Sequence, residues 1–559
     1  MSKSPRAAWL RCTELFDEEF ACLATSKTSY KNKREGTPVS DDKPRIEEAV
    51  DRTEPTDESV KLSRRKILQG ASGSLALATL AACDSGSVAQ AQVTPTTAGI
   101  SALPAPRDPD LTGRLARYMA EARNTPLPPN VVLAAKHRIL DSIGAVVSGS
   151  QLLPGEVAID YIRGQGGVAE ASVATTDIMT TATNAAFANG MFGHADETDD
   201  FHPFTKAHPG CVVIPTALAM GEKEGSSGTE FLRACVLGYD LCCRFLVALQ
   251  PALVRARGRA AEGYSSTFGA TATAASLARF EETEMRYAIS YAVQQVSGVW
   301  SWVRDVEHIE KAFDFGGMGA RNGIAAATMI QAGFTGVLDA LEGQRNIIDA
   351  LSVEPSPEEM VADLGSRFYI EETAIKTFPT GYPTQSPLAA FFTLREQYGI
   401  TADNLEHMLI RLPEDGARIV DNRTMPDINA QHLMSVAVVD GYIDFENSHS
   451  FERMSDPEVL AVKERIEYIA DPELAVVEAP RSGFVQVTLT DGQQAELFVS
   501  HAPGTPENPL DTEGVNAKVR TLMAPILGDE RTERLIESVN AIEDVENVRE
   551  LRPLMSNSA

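Results

Sequence analysis

Between Gly193 and Cys211 the chain reads GHADETDDFHPFTKAHPGC, which places four acidic residues and three of its nine histidines in one short stretch. The flanking segments, NAAFANGMF before and VVIPTALAMGE after, are small and apolar. Buried polar groups must be paired or line a cavity, so the stretch has three readings. In the first, His208 and a carboxylate move protons in a cleft. In the second, His194, Asp200, His202 and His208 ligate a divalent ion, although no HExxH-type spacing is present. In the third, the acids are caps or surface groups and the histidines are satisfied polar groups of the core. Helical spacing puts His194 with Glu197, and Asp196 with Asp200, on shared faces before Pro203 and Pro209 force the chain out of the helix.

The elements that must position this stretch are mostly helical. From Leu111 onward, LTGRLARYMAEAR and PPNVVLAAKHRILDSIGAVVSGS carry apolar residues at three- and four-residue spacing. GTEFLRACVLGYDLCCRFLVAL and FGATATAASLARF are rich in small and apolar residues, which let helices pack closely. Near Ile375 the character changes. HMLIRLP (407–413) and GFVQVTLTDGQQAELFVS (483–500) are strand-like, and the second holds an Asp-Gly hairpin signal. A helical segment, 428–444, lies between them, and the tail is helical again. The pattern predicts a mainly α fold. A large all-helical domain spans residues 109–372 and 509–555, and a smaller α+β lid spans residues 373–508.

Composition narrows the function. The chain has 559 residues, 43% of them hydrophobic, and a formal net charge of −28. That charge argues against nucleic acid as a partner, since phosphate binding needs clustered Lys and Arg. Neither a Walker-type loop, nor a GxGxxG after a strand, nor a zinc-type CxxC pair occurs. Cys242 and Cys243 are adjacent, which suits neither a disulfide framework nor a metal cluster.

The start of the chain reads as a leader. Residues 1–62 are polar and charged, a disordered N-terminal extension. Residues 63–93 join the pair Arg64-Arg65 to a mild apolar run, resembling a twin-arginine export signal. Two endings compete: LAAC would leave Cys83 as a lipid anchor, whereas AQA (89–91) resembles an ordinary cleavage site. The expectation is a periplasmic or exported protein, membrane-anchored through Cys83 where the LAAC ending is used, with a cytoplasmic protein as the alternative. Residues 94–108 read as a linker.

Several stretches together resemble the MmgE/PrpD family, which includes 2-methylcitrate dehydratases, cis-aconitate decarboxylases and an iminodisuccinate epimerase. They include RILDSIGAVVSGS, NGMFGHADETDDFHPFTKAHPGCVVIPTALAMGE, KAFDFGGMGARNGIAAATMIQAGF, IKTFPTGYPTQSPLAA and INAQHLMSVAVVDG, in the family's order. The resemblance implies a helical domain and a lid with the site between them. It also implies a homodimer, a small polycarboxylate as substrate, and no metal or other cofactor. Carried over residue by residue, the family's histidine of the HPS/HPG motif falls on His208. The acids of its DFDDT motif fall on Glu197, Asp199 and Asp200, and the threonine position is Phe201. The two lysines fall on Lys311 and Lys376. One family histidine is replaced by Ala260, and the lid histidines by Gly381 and Gln385. A lid tyrosine aligns with His432. On this basis His208, Lys311, Lys376, Glu197 and His432 are the candidate catalytic residues. Asp200, Phe201, His202, Ala260, Gln385 and Arg423 are candidates for substrate binding.

The leading expectation is a dehydratase-like lyase. It removes a proton α to a carboxylate and loses water or CO2, with the lysines stabilising enolate charge. An epimerase or isomerase of a small dicarboxylate keeps only the proton-transfer half of that chemistry. A non-catalytic polycarboxylate-binding protein keeps neither half.

Overall fold

The computed structural model of the chain describes residues 110–476 and 478–556. The extension, the twin-arginine segment with Cys83 and the linker lie outside the described residues. None of the described helices is long and apolar enough to cross a membrane.

The larger part is a helical bundle. Its first helices are α1 (Leu111–Ala122), α2 (Pro129–Gly149) and α3 (Leu153–Arg163). Asp110 caps α1 by accepting the Gly113 N–H, and Pro129 starts α2 where its missing N–H costs nothing. After α4 (Ala182–Gly193) and α5 (Gly210–Glu224) comes α6 (Gly228–Leu249), opened by a capping box between Ser227 and Glu230.

At the centre lies α7 (Ala261–Leu277), AEGYSSTFGATATAASL, in which every residue is buried. Small residues make this tolerable. A Cβ on Gly269 would stand 2.9 Å from Cys242 Cβ on α6. One on Gly323, in α9 (Met318–Gln331), would stand 2.5 Å from Ala270 Cβ. Between α7 and α9 run α8 (Glu282–Gln295) and a loop that ends in a π-helical turn, Phe313–Gly317. Such turns recur at functional sites.

The smaller part has its own apolar core around Phe391, Met408, Ile410, Met434 and Val485. Its sheet joins β1 (Leu405–Pro413), β2 (Ile466–Asp471), β3 (Gly483–Leu489) and β4 (Gln494–Val499) in the order β2-β1-β3-β4. β1 and β2 run parallel, with Ile410 opposite Tyr468. β3 and β4 form the hairpin expected at Asp491-Gly492, where Gly492 takes φ 86°. Two helices, α10 (Gln385–Tyr398) and α11 (Ala430–Asp440), contribute Phe391 and Met434 to this core.

The chain then returns to the bundle. In α12 (Thr512–Leu527), Val519 and Leu522 pack at Gly144 of α2, and α13 (Asp529–Asn540) buries Leu535 and Ile536 in the larger core. The molecule is mainly α with a smaller α+β part.

Candidate active site

Helix α4 stops at Gly193, and residues 194–209 form an irregular loop that leads into α5. The helical pairing of His194 with Glu197, and of Asp196 with Asp200, is therefore corrected. His194 Nε2 still stands 3.8 Å from Glu197 Oε1, but the loop folds back on itself, so that His194 and His208 both bond Asp199, while Lys311 and Lys376 reach its acids from far along the chain. Three non-glycine residues near it take left-handed backbone: Glu197 (φ 54°), Lys206 (φ 63°) and His308 (φ 62°). Such strain persists only where the surroundings over-determine it, and it clusters at functional sites.

Asp199 is the hub. It is fully buried, and its Oδ2 accepts from His194 Nδ1 at 2.9 Å and from His208 Nδ1 at 3.0 Å. Burial opposes its charge, but His194, His208 and Lys376 hold its carboxyl well below the usual range. An ionised carboxylate has no proton to give, so both rings must donate through Nδ1. His208 therefore presents Nε2 as its basic nitrogen. Burial drops the His208 pKa to about 4 against the pull of Asp199, so the ring is neutral near pH 7.

Glu197 is the second buried acid. Lys311 bonds its Oε1, and Lys376 Nζ lies 3.4 Å from its Oε2 and 3.4 Å from Asp199 Oδ1. Burial works against its charge too, but Lys311 and Lys376, with His194 and His308, hold it well below the usual range. Lys376 is itself fully buried. Burial disfavours its ammonium, yet Asp199 and Glu197 more than offset this and raise its pKa. Two acids and two lysines thus form a closed set of buried charges.

Aromatic rings wall this set. Phe315, from the π-helical turn, stacks on His194 at 4.2 Å and meets His208 edge-on at 5.1 Å. Phe201 meets His208 at 5.2 Å and Tyr382 at 4.2 Å. Lys311 Nζ lies 5.7 Å from the Trp302 ring centre and 5.3 Å from that of Phe315. A two-bond bridge between Phe201 and Ala374 brings Lys376 to the acids.

The structure thus assembles His208, Glu197, Lys311 and Lys376, with Phe201 against them. Ala260 packs with Cys211, Trp302 and Phe315 beside them. Five other expected residues are placed elsewhere. His432 is buried on α11, where its charged neighbours are Lys463 and Arg453, and no contact joins it to the cluster among the described residues. Asp200 Oδ1 accepts the Gly210 N–H at 2.8 Å at the start of α5, and its Oδ2 is buried with no hydrogen-bond partner among the described residues. His202 bonds Thr205 at 2.7 Å and turns its other nitrogen to Glu372. Gln385 spends its amide on Phe378 and Thr380, which shapes the loop after Lys376. Arg423 donates to the Val303 carbonyl at 3.0 Å and so steadies the segment carrying Trp302.

His194, Asp199 and His308 join the set beyond the expected site residues. His308 is buried, stands 3.6 Å from Glu197 Oε1, and neither of its ring nitrogens has a hydrogen-bond partner among the described residues. Burial and Lys311 push its pKa well below the usual value. Its position three residues before Lys311 was the available signal.

Two sets of donor atoms converge within 4.8 Å: His194, Asp199 and His208, and His194, Glu197 and His308. In the first set the histidine Nδ1 atoms already donate to Asp199, and in the second Lys311 already holds Glu197. A divalent ion would have to displace these partners, so the donor sets fit such an ion poorly.

Residues 113–360 match the MmgE/PrpD N-terminal domain, and residues 378–544 match the MmgE/PrpD C-terminal domain. A cis-aconitate decarboxylase-like protein of Aspergillus oryzae is 22% identical over 476 residues, covering 80% of this chain and 97% of that protein. A cis-aconitate decarboxylase of Aspergillus terreus is 22% identical over 479 residues, covering 80% and 96%. With both domain matches falling on the described fold, the chain belongs to the MmgE/PrpD family.

Proposed function

We propose that the chain is a lyase for a small di- or tricarboxylic acid, removing a proton α to a carboxylate and then losing water or CO2. The observation that carries this reading is Asp199 holding His208 through Nδ1 beside two lysines. His208 Nε2 takes the α-proton, and the electron pair moves into the adjacent carboxylate as an enediolate. As this collapses to a C=C bond the β C–O bond breaks, and the proton on His208 leaves with the hydroxide as water. In the CO2 branch the C–CO2 pair stays on carbon and takes its proton from the His208 imidazolium. Lys311 and Lys376 are the cations positioned to stabilise that charge. Asp199 orients the ring and stabilises the imidazolium that forms. The relatives named above are decarboxylases or decarboxylase-like by description, which supports a carboxylic acid substrate. A second copy of the chain as partner, and export through the twin-arginine segment, belong to the same proposal.

Proton NMR of the full chain in D2O with a panel of di- and tricarboxylates tests the reading. Loss of an α-proton signal is expected, and the product peaks separate dehydration from decarboxylation and from epimerisation. Binding without exchange across the panel would sink it.

The pH profile gives a second test. kcat/KM reports the free protein, so its acid limb should fall near pH 4, the value burial gives His208. Substrate carboxylates favour the imidazolium, so the limb in kcat should lie higher. A kcat/KM limb at the ordinary histidine value of about 6.5 would overturn the burial-lowered pKa of His208, and a limb unchanged in His208→Gln would remove this ring from the role of base.

A further inference from the structure

The inner charges are already matched: Glu197 and Asp199 occupy Lys311 and Lys376. A polycarboxylate brings two or three more negative charges and needs cations beyond these four groups. Just outside Phe201 the chain gathers three. Lys206 follows Phe201 in the same loop, Arg255 ends the short helix Pro251–Arg255, and Arg481 precedes β3. Only two acids answer them. Arg255 donates to Glu262 at 2.7 Å and to the Thr205 carbonyl at 2.7 Å. Arg481 Nη1 donates to both oxygens of Asp415 at 2.8 Å.

That leaves Lys206. Its Nζ stands 3.9 Å from Asp415, too far for a hydrogen bond, and its side chain is only 24% exposed. Burial, together with Arg481 and Arg255, pulls its pKa well below the ordinary lysine value. Arg481 is buried as well, and its Nε has no hydrogen-bond partner among the described residues. A lysine held in left-handed backbone beside two guanidinia, in a protein of net charge −28, is an arrangement that an anion would relieve. Lys206 Nζ lies 5.8 Å from the centre of the Phe201 ring, which also meets His208 at 5.2 Å and Tyr382 at 4.2 Å.

We propose that Lys206 and Arg481 form a carboxylate-binding site at the mouth of the His208 site, which receives the remote carboxylate of the substrate. This rests on the lyase reading for the identity of its ligand. The chemistry is that of a small oxyanion, and a free anion could also occupy the site.

Calorimetric titration of the full chain with citrate, acetate and sulfate, for the wild type and for Lys206→Met, tests it. The Lys206 ammonium makes no hydrogen bond among the described residues, and its backbone bond to the His202 carbonyl survives the change, so the variant should melt with the wild type and any change reads as binding. Citrate affinity is expected to fall about ten- to hundredfold in the variant, the range of a charge-assisted bond, and acetate and sulfate are expected to weaken with it. Loss of sulfate binding with unchanged citrate binding would assign the site to a free anion and overturn its role in holding substrate. Equal binding of both probes to the two proteins would overturn the site itself. Citrate binding through Lys206 without any α-proton exchange would keep the site and discard the lyase.

Discussion

Replacement of His208 by glutamine is expected to slow α-proton exchange by about 10²- to 10⁴-fold, the usual worth of a positioned general base. The glutamine amide can still donate to Asp199, so the hub keeps one of its two ring contacts. The loss therefore belongs to the basic nitrogen rather than to the fold. His432→Gln is the contrast. It alters a buried histidine of the smaller part, whose charged neighbours are Lys463 and Arg453, and the exchange rate should stay at the wild-type value. A His208→Gln protein that exchanges as fast as wild type would end the proposed role. Equal losses in both variants would point to a general loosening of the molecule.

The second large effect is on stability. Lys376→Met leaves Glu197 without one of its lysines and removes the only lysine within bonding reach of Asp199 among the described residues. Removing one partner from a buried ion pair costs about 3–5 kcal/mol, because the remaining charge has neither water nor a counter-ion. Denaturant unfolding should show a loss of that size. Adding Asp199→Asn should return part of it, giving a favourable coupling between the two changes. The catalytic loss would persist in the double variant. A single variant within about 1 kcal/mol of wild type would mean that water reaches these acids, and the closed charge set would be wrong.

Much of the architecture was legible in the sequence. Helical periodicity marks α1 and α2, and the Asp-Gly turn marks the β3–β4 hairpin. β2 was harder to read. Ile466–Asp471 is a short edge strand, and its parallel pairing with β1 is a non-local choice that local pattern does not encode. The loop at 194–209 misled for a related reason. Three- and four-residue spacing suggested helical faces, but the acids there answer to Lys311, Lys376 and the start of α5.

The site divides in the same way. His208, Glu197, Lys311 and Lys376 lie in motifs whose residue types announce chemistry. Gln385, His202 and Asp200 have the same polar character, yet they serve turns and caps. Only the identity of their bonding partners separates the two groups: the turns and caps close on near neighbours, whereas Lys311 and Lys376 meet acids more than a hundred residues away. His308 carries no motif, and it enters the site because its backbone turns left-handed just before Lys311.

The wide separation of these charge partners bears on how the protein is made. Lys376 leaves the ribosome 179 residues after Glu197, and Lys518 leaves it 377 residues after its partner Asp141. Until they arrive, the nascent helical part can bury Asp199 and Asp141 as ions only at a cost, because Asp199 has no lysine and Asp141 has only Arg138 nearby. The segment matched by the N-terminal family domain, 113–360, ends before both lysines. Expressed alone, that segment should exchange its α2 and α5 amides far faster than the same helices in the full chain. Synthesis therefore has to reach the last helices before the first acids can settle, and the middle of this protein is the last place to become native.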